Sequence, residues 1–224
     1  KMRKLILSII ASLFLITTNA MSFSLSDANL SIGVSGNQAA YYAEGKETAS
    51  KEDGTVDKQT IEAGAFTDGY GSIFVEIGLS DTVSLGLDYV PEDIKTPENI
   101  SNEDRSTTQK ASATFSELIT VYAKIDVPLG GTYLKVGYSQ VDLQINEDSS
   151  RTYSQPGDTQ GITAGIGYEK DMSDNGVSLR LEVTATSFDD VTSNNGVAAT
   201  GNRNVYDVSD MMGARGTLSL VKTF

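Results

Sequence analysis

Beyond residue 20, apolar and polar residues alternate with period two in eight separate runs, and no convincing helical stripe appears. Strict alternation is the signal of a strand with two unlike faces. The first run sets Leu30, Ile32 and Val34 against Ser31, Gly33 and Ser35. The second sets Ile73, Val75, Ile77 and Leu79 against Ser72, Phe74, Glu76 and Gly78. The third has Val83, Leu85, Leu87 and Tyr89 against Ser84, Gly86 and Asp88, and the fourth has Ile119 to Val127 against Thr120, Tyr122, Lys124 and Asp126. The fifth begins Leu134, Val136, Tyr138 against Lys135, Gly137 and Ser139. Its phase then slips, since Val141, Leu143 and Ile145 are odd-numbered, and a β-bulge near Ser139 or Gln140 would restore the faces. The sixth runs from Gly161 to Glu169, the seventh from Val177 to Ala185, and the last from Met212 to Phe224.

The connections predict the topology. Ser80-Asp81-Thr82, Pro128-Leu129-Gly130-Gly131 and Ser173-Asp174-Asn175-Gly176 are tight turns, the last with an Asn-Gly hairpin signal. Residues 44–69, 91–112, 146–160 and 188–206 are long, polar and acidic, and read as solvated loops. Long and short connections alternate strictly, as in an antiparallel meander with one plain end and one elaborate end. The expectation is all-β: an eight-stranded antiparallel up-and-down transmembrane barrel, with three short periplasmic turns and four long extracellular loops.

The polar face separates this from a soluble barrel. It carries Gly33, Gly78, Gly86, Gly137, Gly165, Gly167 and Gly213, with Ser and Thr between. Glycine weakens a solvent-facing strand, whereas a tightly closed barrel interior needs small residues to admit the large ones. The apolar face therefore points to lipid and the polar face to the lumen. Tyr89, Tyr138, Tyr168 and Phe224 would supply interfacial girdles. The alternative is a soluble periplasmic or secreted binding barrel, with the faces reversed.

The chain opens Lys1-Met2-Arg3-Lys4, continues with an apolar stretch from Leu5 to Ile16, and leaves through Thr17-Thr18-Asn19-Ala20. A basic start, a short apolar core and a small-residue exit form a secretory signal, and the core falls short of the roughly 20 residues of a spanning helix. Residues 1–20 are therefore expected to be a signal peptide cleaved after Ala20, and residues 21–224 one barrel domain. Loss of Lys1, Arg3 and Lys4 takes the net charge from −13 to −16.

Composition then removes whole classes of chemistry. The 224 residues include no His and no Cys. Imidazole catalysis, thiolate nucleophiles and Cys or His metal sites are excluded. So acidic a chain repels phosphate backbones, so no nucleic-acid partner is expected. Asp189-Asp190 could in principle act as paired carboxylates, but adjacent acids in a Ser/Asn-rich loop are ordinarily just solvated. Lys51-Glu52-Asp53-Gly54 and Asn102-Glu103-Asp104 lack the spacing of a calcium loop. No catalytic residue, cofactor or metal site is assigned.

The inward parity places Lys124, Lys135, Arg180 and Arg215 in the lumen with Glu76, Asp88, Asp126, Glu169 and Glu182. Unpaired buried charges are costly, so these nine are expected to form a ladder of ion pairs filling a narrow interior. Their other reading is the lining of a narrow or gated pore.

The last nine residues, from Gly216 to Phe224, alternate into a terminal aromatic. Leu218, Leu220 and Phe224 resemble the C-terminal signature of bacterial outer-membrane barrels; Lys222 departs from it, at a depth where its ammonium could snorkel to water. The whole mature chain resembles small eight-stranded outer-membrane barrels, namely the outer membrane protein A transmembrane domain and the opacity-type proteins. That resemblance implies the outer membrane as location. It also implies the barrel assembly machinery, outer-membrane lipids and lipopolysaccharide as partners. The function expected is structural or surface interaction through acidic loops, without catalysis. The alternative is a narrow porin-like channel or a small-molecule transport barrel.

Overall fold

The computed structural model describes residues 29–101, 109–147, 154–196 and 203–224. The expected signal peptide lies outside the described residues. Eight long strands form the ring: β1 (Leu30–Ser50), β2 (Val56–Gly78), β3 (Val83–Tyr89), β6 (Gln109–Asp126), β7 (Thr132–Glu147), β8 (Gly157–Ser173), β9 (Val177–Phe188) and β11 (Arg203–Thr223). Three short strands lie above it: β4 (Ile94–Lys95), β5 (Asn99–Ser101) and β10 (Val191–Asn194). Each ring strand pairs antiparallel with its neighbour in sequence, and β11 pairs with β1 to close the sheet.

The hydrogen-bond register fixes the shape of the ring. From Ser31 it runs through Glu76, Gly86, Tyr122, Gly137, Thr163, Thr186 and Gly213, and returns to β1 at Tyr41, ten residues on. Eight strands with that stagger, at a rise of about 3.3 Å and a spacing of about 4.8 Å, tilt by about 40°. Such a ring has an interior that side chains alone can fill. Ile32, Val34, Ile73, Val136, Ile162, Leu181 and Val183 stand exposed on the outside, so the apolar face points away from the lumen.

Two expectations need correction. Residues 44–69 are mostly not a loop: β1 and β2 continue as a ladder up to a turn at residues 51–55. Residues 203–206, expected in a loop, belong to β11, and β6 and β8 likewise begin inside expected loops. The physical reason is that alternation reports two unlike faces, not the ladder itself. Above the lipid both faces meet water, so the pattern fades while backbone pairing continues.

The expected bulge near Ser139 is also absent from β7, which pairs without a break against β8 from Thr132 to Leu143. The irregularity sits on the neighbouring strand, between Ser116 and Ile119 of β6, where Glu117 adopts φ 55°. A second register shift lies between Tyr42 and Glu44 of β1, facing the stretch of β11 where Asp210 has φ 52°. Val141 and Leu143 keep the inward parity and are buried. The phase slip in the sequence marks a change in what the lumen contains.

Candidate functional site

The lumen is built in three layers, each set by the position of its residues along the strands. The lowest layer, beside the short turns, is ionic. Arg180 donates to both oxygens of Glu76, at 2.6 and 2.8 Å, and from Nη2 to Glu169 at 2.9 Å. Lys124 lies 3.4 Å from Glu169 and 2.9 Å from Asp126. Lys135 donates to Glu182 at 2.9 Å, and Arg215 bridges upward to Asp88 at 3.3 Å, with Glu182 at 4.0 Å. Each of the nine charged residues singled out in the sequence thus lies beside an opposite charge, in two groups: Arg180, Glu76, Glu169, Lys124 and Asp126, and Lys135, Glu182, Arg215 and Asp88. Seven are buried; Glu169 and Asp126 are half-buried, Asp126 the more exposed of the two.

Three aromatic side chains complete this layer. The Tyr122 hydroxyl donates to Glu76 at 2.7 Å, and the Tyr133 hydroxyl donates to Glu182 at 2.9 Å. Lys135 Nζ lies 3.9 Å from the centre of the Tyr122 ring, and the Arg180 guanidinium 5.0 Å from that of Phe74. Such contacts stabilise a desolvated cation by about 2 kcal/mol. Sequence reasoning assigned no role to these rings. Their signal is pairing with glycine: a Cβ on Gly33, Gly86 or Gly167 would collide with the ring of Phe74, Tyr122 or Tyr133 respectively. Each ring lies flat over an inward glycine of the adjoining strand, the close approach that admits it into so narrow a ring.

The middle layer is a belt of hydroxyls and amides. Thr120, Ser139, Thr163 and Thr186 form a chain across four adjacent strands, with oxygen separations of 2.8, 2.7 and 2.7 Å. On the other side Thr217 donates to Asn37, Asn37 to Ser72, and Ser72 to Asp88. Buried polar groups that find such partners stabilise the fold instead of costing it.

The upper layer is apolar. Ala39, Tyr70, Val90, Ile94, Leu118 and Val141 form a buried cluster against Tyr41, Phe66, Phe115 and Phe188. The rings of Tyr41, Phe66 and Phe115 stack with centroids 5.1 to 6.3 Å apart, and the hydroxyls of Tyr41 and Tyr70 meet at 2.9 Å. This is why Val141 breaks the alternation: above the hydroxyl belt, the inside of the barrel is a hydrophobic core.

The C-terminal residues face outward. Leu218, Leu220 and Phe224 are exposed on the outer surface, and the Phe224 amide donates to the Leu30 carbonyl at 2.9 Å as β11 meets β1. Lys222 reaches the Asn175 carbonyl in the β8–β9 turn, and its Nζ lies 5.2 Å from the Phe224 ring centre. Asp189 and Asp190 are both exposed at the top of β9. In the β1–β2 turn, Asp53 accepts from the Thr55 amide and hydroxyl, at 2.9 and 2.6 Å, which holds its carboxyl below the usual range. Asn102-Glu103-Asp104 lies outside the described residues. Among the described residues, no three acidic side chains are grouped so as to hold a metal ion.

No family model matches the chain, and no curated protein matches it in sequence. Solved structures do match. The outer membrane protein OprG from Pseudomonas aeruginosa is 13% identical, with a TM-score of 0.50 over 85% of this chain and 95% of that one. Neisserial surface protein A is 12% identical, with a TM-score of 0.37 over 84% and 97%. The outer membrane protease OmpT from Escherichia coli is 10% identical, with a TM-score of 0.41 over 92% and 100%. At these identities the likeness shows the fold alone, and the likeness to OprG, at a TM-score of 0.50, carries it. The chain has the fold of the small eight-stranded outer-membrane β-barrels.

Proposed function

We propose that this chain is a non-enzymatic outer-membrane barrel with a sealed lumen, whose acidic extracellular extensions carry its interactions. One observation supports this most: two barriers stand in series. The ionic layer fills the lower lumen with neutralising pairs, and the aromatic layer fills the upper lumen with apolar rings. A hydrated ion would have to displace the first and cross a dewetted constriction in the second. The working surface is then outside, where the β1–β2 hairpin carries Glu44, Glu47, Glu52, Asp53, Asp57 and Glu62. Outer-membrane lipids and lipopolysaccharide surround such a barrel. Leu218, Leu220 and Phe224 present the outward face that the assembly machinery would read. The test is conductance of the refolded protein in a planar bilayer, with folding checked by a heat-shift gel. Silence is expected. Steady discrete channels would overturn the sealed lumen.

A second reading, transport of small apolar molecules, has its own support. Above Ile73, β2 has no strand ladder on the side away from β1, because β3 ends at Tyr89 and β4 pairs with β6. The seam is held by the Glu92 carboxylate accepting from the Gly71 amide at 2.6 Å, and by Tyr70 packing in one cluster with Val90 and Ile94. On this reading Glu92→Ala raises uptake of an apolar dye into proteoliposomes. Uptake equal to that of empty vesicles, for both forms, would count against it.

A further inference from the structure

Between the hydroxyl belt and the aromatic layer lies a cavity of about 20 Å³. Its lining includes Thr120, Ser139, Thr186, Tyr70, Leu118 and Arg215. We propose that this cavity is a binding site for one structural water, held by the Arg215 guanidinium and the hydroxyl belt.

The first argument is donor accounting. A guanidinium offers five N–H donors. Arg215 is 9% exposed, so its donors cannot rely on bulk water. Asp88 Oδ1 accepts one at 3.3 Å. Glu182, at 4.0 Å, attracts the charge but is too far to accept a hydrogen bond. No other described residue accepts a hydrogen bond from Arg215, and Arg215 lines the cavity. The hydroxyl chain makes the complementary offer. Four hydroxyls linked by three hydrogen bonds leave a proton and lone pairs at the ends of the chain, and its terminal members Thr120 and Thr186 both line the cavity.

Size and charge then select the occupant. About one probe sphere, roughly 10–15 Å³, is the least space that holds a water, so this volume suits one and little more. A cation would sit against the Arg215 charge. An anion would sit near Asp88 and Glu182, both of which already approach Arg215. A neutral ligand that both donates and accepts suits the polar part of the wall, Arg215 with Thr120, Ser139 and Thr186, and water is the one that fits.

The test is magnetic relaxation dispersion of water ¹⁷O on the folded barrel in detergent micelles. Ala39, which lies across from Arg215 in the β1–β11 ladder, also lines the cavity. The wild type is expected to show slowly exchanging water, and Ala39→Val, which fills the space, to show one such molecule fewer. Thr186→Val keeps the volume and removes a partner, and is expected to shorten the residence time at least tenfold. The absence of any slow water in the wild type overturns the proposal. So does a signal unchanged in both variants. Anomalous density for bromide beside Arg215, in crystals grown with that ion, would overturn it by making the occupant an anion.

Discussion

At the scale of single residues, the lumen depends on charges that cannot be removed singly. Arg180 is shared between Glu76 and Glu169, and both of its terminal nitrogens are used. Arg180→Met leaves Glu76 buried with the Tyr122 hydroxyl alone, and breaking one side of a buried pair costs about 3–5 kcal/mol. Urea unfolding in lipid should record that loss; unchanged stability would mean that Glu76 is not buried. Glycine matters by the opposite logic, through what it lacks. Gly167→Ala puts a methyl into the Tyr133 ring and should cost about 1–3 kcal/mol by overpacking. Gly36→Ala, where a Cβ meets open space on the outer face, serves as its control and should change little. The nine charges were legible from parity alone, since each has the polar-face parity of its strand. Tyr133 was not, because its role depends on Gly167 of the next strand, and register is not visible in one strand's sequence.

At the scale of elements, strands outrun their sequence signal wherever water lies on both sides. The β1–β2 hairpin shows this: Glu44, Lys46 and Thr48 sit in continuous register with Ala63, Ile61 and Gln59, although nothing there alternates cleanly. The turn that closes it is held by Asp53 and Thr55. Because these bonds lower the Asp53 pKa, the turn gains its stabilisation above the ordinary carboxylate range and loses it as pH falls through the depressed value. The protection factor of the Thr55 amide, its exchange rate relative to the intrinsic rate at each pH, should therefore fall in acid while the barrel stays folded. A protection factor that is flat with pH would remove Asp53 from the turn. The bulge at Glu117 belongs to the same scale. The phase slip of the fifth run came from the apolar upper lumen and needed no bulge, whereas the bulge on β6 shows only in its pairing with β7.

At the scale of the whole molecule, the stagger of ten residues over eight strands decides which inward side chains share a level. It gathers the salt bridges near the short turns and the rings near the long hairpins, so the two barriers are separate. Tyr41→Ala combined with Phe115→Ala should open the aromatic layer yet leave a planar bilayer silent, because the ionic layer still closes the path. Channels in that double variant would put the whole barrier in the rings. The alternation, the glycines on the polar face and the asymmetric connections were enough to derive the barrel, its inward charges and its lipid-facing surface, because each depends on a residue and its near neighbours in the chain. Which charges pair, which ring covers which glycine, why Val141 turns inward and where the cavity beside Arg215 lies were decided by tertiary structure alone. Those contacts join residues from Glu76 to Arg180 and from Asp88 to Arg215, brought together by barrel closure and not by any local pattern.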